Sequence, residues 1–360
     1  MDAAQNRLPI APTANPRLER ALVDKLATRA QRVGSLGELE PLAVRLGLMQ
    51  NSLKPRLADP QLVIVAADHG IAVEGVPPAL GLQTHLLAQQ LLKGRLPINV
   101  MARLQGIRLS VIDAGMAEDV APHEGLLIRK IAHGTRNARL NAAMTPEQAH
   151  AALRVGMEFA DTLPGNALLC AGMGVGSNES AALILSRLTD TPVRELFVMR
   201  PQLSSARFAR LMAVAQGAQS RHREVSDPVE VLAAFGGFEI AVMAGMMLVG
   251  AAHRRLLMVD GTPALAALMV ASRLAPPVTD YAVFCRSHPH AALDQALALF
   301  RATAVLELGM DSIDGTGAAL SWTLAQHAAA LMTDVPDGEE PGPTLPQDLL
   351  QDLPQIAAAG

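Results

Sequence analysis

Short, unbroken apolar runs alternate along the chain with longer segments of helical periodicity. Leu62–Ala67 is continuously apolar, rich in β-branched residues, and stops at Asp68-His69-Gly70. That is the pattern of a strand buried on both faces of a parallel sheet and ending in a loop. Further strand candidates are Leu109–Asp113, Leu126–Ile131, Ala167–Ala171, Val193–Met199, Leu256–Asp260 and Tyr281–Cys285. Arg17–Arg32 spaces Leu18, Ala21, Leu22, Leu26 and Ala27 at helical intervals, which predicts a helix at the surface or at a dimer contact. Thr145-Pro146-Glu147-Gln148 combines an N-cap Thr, a Pro at the first helical position and a Gln at the third. Asp227-Pro228-Val229-Glu230 repeats that logic. Strand–loop–helix alternation over residues 60–300 predicts an α/β fold, a parallel sheet with helices on both faces. Ligands of such sheets sit beyond the carboxyl ends of the strands, so the loops that follow strands are the ones to read.

Composition narrows the picture. Of 360 residues, 50% are hydrophobic and only 2% aromatic, so the core is built from Ala, Leu, Val and Met. A net charge of -4 leaves no basic surface for nucleic acid, and stacking platforms for single strands lack their aromatics. The longest apolar run, Ile240–Ala252, is too short to span a bilayer, and Met1–Arg20 has no apolar core of the signal-peptide kind. Cys170 and Cys285 lie in apolar runs and read as buried thiols. The expectation is a soluble, cytoplasmic protein with no nucleic-acid or membrane partner. Residues 334–360 hold six acidic residues, five prolines and no Lys or Arg, and are expected to form an acidic, loosely docked tail.

Four loops carry candidate chemistry. Asp68-His69-Gly70 through Glu74-Gly75-Val76 places several polar groups after an apolar strand, either to orient a ligand or to cap a turn. Ala171–Glu179 alternates glycines (Gly172, Gly174, Gly176) ahead of Ser177 and Asn178 at a helix start, which suits either an anion or a tight turn. The P-loop Gly-Lys-Ser/Thr is absent, and so is the G-x-G-x-x-G spacing. Asp311–Gly317 sets Asp314 beside Gly315, Thr316 and Gly317, again at a helix start. Gly236-Gly237-Phe238-Glu239 puts a carboxylate where it favours a helix dipole. Asp68-His69 has poor zinc-ligand spacing, and His288-Pro289-His290 offers two histidines that could be ligands, although two His around a Pro are more often a solvated loop.

Taken in order, these segments resemble the nicotinate-nucleotide:dimethylbenzimidazole phosphoribosyltransferase family. The resemblance runs from Leu62 to Met332 through Asp68-His69-Gly70, Glu74-Gly75-Val76, Thr84, Asp113-Ala114-Gly115 and Gly134-Thr135-Arg136-Asn137. It continues through Met173-Gly174-Val175-Gly176, Gly236–Ala241, Asp260-Gly261, Ser287-His288 and Gly315-Thr316-Gly317-Ala318. It implies a Rossmann-like parallel sheet flanked by helices (59–299), a small helical domain from both chain ends (1–58 and 300–333), and a homodimer. The implied reaction moves 5-phosphoribose from nicotinate mononucleotide to a benzimidazole nitrogen, with no cofactor and no metal. On this resemblance Asp314 takes the catalytic base position. Asp68, His69, Glu74, Gly75 and Val76 fall in the base-binding region. Gly174, Gly176, Ser177, Asn178, Gly315, Thr316, Gly317, Arg200, Ser204 and Arg207 fall to phosphate and ribose.

The departures are specific. Asp314 stands where the family pattern has Glu, one methylene longer. Gly172 stands where that pattern has a second acid. Phe197–Arg207 replaces a glycine-threonine-glycine phosphate loop with its following Lys, and Pro77-Pro78-Ala79-Leu80 lacks the usual aromatic of the acceptor loop, so an aliphatic pocket is expected to hold the acceptor. Two readings therefore stand: a transferase of this family, or a paralogue of altered specificity or without turnover that binds a nucleotide or pairs with an active sister subunit.

Overall fold

A computed structural model describes residues 9–78, 81–197 and 204–335. The expected tail beyond residue 335, Ala79-Leu80 and Arg200 lie outside the described residues. Six strands form one all-parallel sheet: β1 (Gln61–Ala67), β2 (Arg108–Gly115), β3 (Leu126–Ile128), β4 (Ala167–Met173), β5 (Leu256–Asp260) and β6 (Ala282–Cys285). Their order is β3-β2-β1-β4-β5-β6. The helices are α1 (Pro16–Val33), α2 (Leu39–Gln50), α3 (Thr84–Leu92), α4 (Pro97–Leu104), α5 (Pro146–Thr162), α6 (Ser177–Thr189) and α7 (Val193–Leu196). They continue with α8 (Ser205–Arg221), α9 (Pro228–Phe235), α10 (Phe238–Ala252), α11 (Thr262–Leu274), α12 (Ala291–Ala298) and α13 (Thr316–Thr333).

The central strands β1 and β4 are buried along their whole length, as their unbroken apolar runs require. The strand expected at Val193–Met199 is instead helical over Val193–Leu196, with Pro192 as its N-cap. Val193 and Leu196 are the buried pair there, three residues apart, while Arg194 and Glu195 face solvent. Arg194 and Glu195 break the apolar run that a strand buried on both faces needs, and the spacing of the buried pair is helical. The run expected at Leu126–Ile131 is a strand only to Ile128, although Arg129 and Ile131 still donate to the carbonyls of Asp113 and Ala114 at 2.8 and 2.9 Å. Both predicted caps are present. Thr145 Oγ1 accepts from the Gln148 N–H at 3.2 Å while Gln148 Oε1 accepts from the Thr145 N–H at 2.9 Å. Asp227 Oδ1 accepts from the N–H groups of Val229 and Glu230.

The aromatic-poor composition has a direct structural use. A Cβ on Gly156 of α5 would lie 1.9 Å from the Val242 carbonyl oxygen of α10, and one on Gly245 of α10 would lie 2.1 Å from the Leu153 oxygen of α5. The two helices thus touch backbone to backbone, and side chains there would hold them apart. Helix α10 is buried on every side from Phe238 to Ala251, which explains why its sequence is apolar all round.

The chain divides into two compact units, with boundaries at 14/15, 56/57 and 326/327. The larger contains the sheet. In the smaller, Arg29 of α1 donates from its guanidinium to the carbonyls of Leu331 and Val335, tying segments from the two ends of the sequence. Among the described residues no helix is long and apolar enough to cross a membrane.

Candidate active site

Strand order reverses between β1 and β4, and that is where parallel sheets of this order open a crevice at their carboxyl ends. A cavity of about 380 Å³ lies there, a size suited to a small molecule. Its apolar wall comes from Ile64, Leu87, Met173 and Ile313 with Pro77, Pro78 and Pro263; its polar groups are Ser177, Asn178, His288, His290, Asp311, Ser312 and Asp314. Among the described lining residues there is no Phe, Tyr or Trp.

The loop after β1 is an internal tie. Asp68 Oδ1 accepts from the Thr84 hydroxyl at the start of α3, and Oδ2 from the Ala117 N–H after β2 at 2.8 Å. His69 is buried between Ser180 of α6, 2.8 Å from Nδ1, and Glu239 of α10, 2.8 Å from Nε2. Burial lowers the pKa of His69, but the charge of Glu239 and the hydrogen bond to it outweigh that, and the result is raised. Glu239 also accepts from the Ser177 hydroxyl at 2.6 Å. The carboxylate read as a helix-dipole group therefore pins both His69 and the first residue of α6. Gly176, with φ +93°, leads into α6 within 2.8 Å of the His69 Cβ, measured from where its own Cβ would sit. A larger residue would strain the backbone and displace the histidine.

Glu74 faces Asn137 and Arg139 rather than the cavity lining. Asn137 donates to it at 2.9 Å and Arg139 at 3.0 Å, and these bonds hold its carboxyl below the usual range. Gly75 closes the short helical turn 70–74, its carbonyl accepting from Arg207 Nε at 2.8 Å, and Val76 is buried. Ser204 caps α8, accepting from the Arg207 N–H. Of the residues expected at phosphate or base, the structure brings Gly174, Ser177, Asn178 and Asp314 to the cavity wall.

The loop before α13 is held from below by Asp260, the last residue of β5. Its Oδ2 accepts from the Ser287 hydroxyl at 2.6 Å and from the N–H groups of Gly315 and Ala318 at 3.0 and 2.9 Å. Ser287 Oγ in turn accepts from the Gly317 N–H at 2.8 Å. The first N–H groups of α13 are thus bonded within the protein, and Thr316 bonds to the Ile313 carbonyl. Burial and the neighbouring Asp314 push Asp260 up to about 6. Gly261 makes room for the base position, since a Cβ there would lie 2.1 Å from the Asp314 carboxyl carbon.

Asp314 itself is nine-tenths buried and receives His288 Nε2 at 3.0 Å, while His288 Nδ1 contacts Asp311 at 2.9 Å. Burial pulls the His288 pKa down, but Asp314 and then Asp311 raise it to about 9, so the ring faces Asp314 as a cation near neutral pH. His288 and His290, half-buried, therefore belong to the pocket wall, while Pro289 between them is exposed. Sequence reasoning gave no role to Asp260, Ser287, His288 or Asp311. The available signal was position, because Asp260 and Ser287-His288 directly follow strands. Gly172 lines the cavity, and a Cβ there would lie 2.8 Å from Pro263 and 2.9 Å from Met243. A side chain there would require Pro263 and the end of Met243 to shift.

Comparison with known proteins agrees with this arrangement. A family model described as "Phosphoribosyltransferase" matches residues 11–342. The nicotinate-nucleotide–dimethylbenzimidazole phosphoribosyltransferase of Cupriavidus taiwanensis is 39% identical over 330 residues, covering 91% of this chain and 94% of its own length. The protein of that name from Cupriavidus necator is 40% identical over 334 residues, covering 91% and 94%. A crystal structure of the Thermus thermophilus phosphoribosyltransferase of the same name superposes with a TM-score of 0.81 at 29% identity, covering 89% of this chain and 96% of that one. On the family model and these identities, the chain belongs to the nicotinate-nucleotide–dimethylbenzimidazole phosphoribosyltransferase family.

Proposed function

We propose that this chain transfers 5-phosphoribose from nicotinate mononucleotide to a benzimidazole-like base, giving an α-ribotide and nicotinate, as the names of its relatives indicate for them. The observation that carries the reading is Asp314, a nearly buried carboxylate in the wall of the switch-point cavity. In the reaction one ring nitrogen of the acceptor forms a bond to the anomeric carbon as the bond to nicotinate breaks. The bonding pair returns to the pyridine nitrogen, and positive charge builds on the ribose. The second ring nitrogen of the acceptor releases its proton to Asp314. His288 orients that carboxylate and Asp260 holds its loop. The phosphate is placed at the N-terminus of α6 with Ser177 and Asn178, where the helix dipole favours an anion. The aliphatic wall of Ile64, Leu87, Met173 and Ile313 takes the flat acceptor by shape.

Two further properties belong to the same reading. The chain works as a homodimer, which light scattering on the purified protein checks. It resides in the cytoplasm, a location supported by the free, buried thiols Cys170 and Cys285.

The test is a mass-spectrometric product assay with nicotinate mononucleotide and a panel of benzimidazoles, purines and phenols. The wild type yields a ribotide, and D314N loses roughly 10²–10⁴-fold in kcat, the contribution of a positioned proton acceptor. Ribotide formation that survives D314N at the wild-type rate overturns the role of Asp314. Gly172, which supplies no carboxylate where the resemblance expects a second acid, favours the second reading, a nucleotide-binding paralogue without turnover. No product from any acceptor, with nucleotide binding detected calorimetrically, establishes that reading instead.

A further inference from the structure

Resting on the transferase reading, we propose that Asp311 is a positioning residue of the transfer, acting through His288 to hold the carboxylate of Asp314 in place beside a cation. His288 lies in the loop after β6 and stands between two carboxylates of the loop that leads to α13. Its Nδ1 is 2.9 Å from Asp311 Oδ1 and its Nε2 is 3.0 Å from Asp314 Oδ1. A neutral imidazole has one N–H and serves one carboxylate at a time, whereas an imidazolium has two and serves both. Burial lowers the pKa of the ring, but Asp314, then Asp311 and Asp260, raise it to about 9. The backbone of His288 is fixed as well. Arg286 Nε donates to its carbonyl at 2.8 Å, and Arg286 is itself held by Asp294 of α12 and by Glu307. His290 lies alongside the ring, with centroids 5.2 Å apart.

The two carboxylates differ in what they cost. The Asp314 side chain is 10% exposed, and it faces a second buried carboxylate, Asp260, whose pKa it raises. The Asp311 side chain is 71% exposed and carries its charge in water. His288 is the cation that faces both buried acids, lowering the pKa of Asp260 while Asp260 raises its own. Two buried carboxylates with no cation beside them repel, which displaces the proton acceptor. Asp311 prevents this from the solvent side, because it gives the second N–H of the ring a partner and so favours the charged form. His288 engages Oδ1 of Asp314, and among the described residues nothing donates to Oδ2. Oδ2 is therefore the oxygen left for the proton of the acceptor base.

The experiment measures kcat between about pH 6 and 10 for the full-length wild type, D311A and D311E, with nicotinate mononucleotide and an acceptor that yields ribotide. In parallel the His288 ring is titrated by NMR on histidine-labelled protein, its signal assigned by its absence from H288Q. In the wild type, kcat falls as the ring loses its charge near pH 9. In D311A the ring titration and the alkaline limb of kcat move together to lower pH by about one unit, the effect of removing a neighbouring carboxylate. That shift lowers kcat at pH 9 by about fivefold, with KM for the nucleotide nearly unchanged. D311E, which keeps the charge, moves both back toward the wild type. A ring that titrates at the same pH in D311A overturns the proposal, as does a ring that shifts while the alkaline limb stays in place. A wild type that makes no ribotide from any acceptor overturns the transferase reading instead. The ring titration needs no turnover and still upholds or overturns the hold of Asp311 on His288.

Discussion

Asp260 shows how one side chain organises a site without lining it. Its Oδ2 collects the Ser287 hydroxyl and two N–H groups of the α13 start, while Asp314 on the base loop, His288 in the loop after β6 and Cys285 at the end of β6 are the titratable groups around it. Burial first and Asp314 second raise it to about 6 from an ordinary 3.8. The sign follows from proton counting. Between those two values the folded chain binds more protons here than the unfolded chain, so this group's contribution to stability is greatest at the acid end. It is lost as pH rises through 6. D260N cannot ionise and escapes that loss. Relative to wild type, D260N is therefore expected to gain stability between pH 4 and 7, while its amide oxygen still accepts the three bonds that anchor the base loop. Urea titrations across that range check it, and a difference between the two proteins that does not vary with pH contradicts it. Asp260 was legible as a strand-end residue, but its role was not. A single carboxylate in sequence says nothing of the N–H groups that reach it from 55 and 58 positions away.

At the scale of elements, the readable features were those encoded locally. The caps of α5 and α9 appear where Thr145 and Asp227 put them, because capping needs only residues within one turn. T145A is expected to cost about 1 kcal/mol, measured by urea denaturation, through loss of one bonded N–H and the reciprocal Gln148 contact. The sheet strands were found where continuous apolar runs met strand-like length. Val193–Leu196 is not such a run, because Arg194 and Glu195 interrupt it and its buried residues repeat at three. The closeness of α5 and α10 could not be read at all, since a glycine in a helix looks like a weak helix former until its neighbour is known. G156A places a methyl group on the Val242 carbonyl and is expected to destabilise by more than the 1–3 kcal/mol typical of about one excess methylene, because the obstacle is backbone. A substitution of Ala for the exposed Gly34, where a Cβ meets nothing, isolates the steric part once the strain of its positive φ is allowed for. Equal losses at the two positions would show that helix contact is not the cause.

Across the larger unit, the site exists because strand ends far apart in sequence converge and are tied. His69 follows β1, Glu239 opens α10 and Ser177 opens α6, and a buried carboxylate joins all three. Sequence order alone placed each of these residues at a loop that could carry chemistry. It could not show that His69 would spend both ring nitrogens on Ser180 and Glu239, since the partners lie 111 and 170 positions away. The energetics make that tie asymmetric. A buried ion pair contributes little beyond an apolar pair of the same shape, yet removing one member strands the other without a partner. E239A is accordingly expected to lose about 3–5 kcal/mol of stability, leaving His69 Nε2 and the Ser177 hydroxyl without their shared partner. E239Q, whose amide oxygen still accepts from both, is expected to lose clearly less. If the tie also positions the start of α6, both variants weaken calorimetric binding of nicotinate mononucleotide in the same order. A stability change within about 1 kcal/mol for E239A would place the pair among contacts that hold nothing of consequence. Loss of stability with unchanged nucleotide affinity would separate the core of this molecule from its site, and would move the phosphate away from the α6 N-terminus.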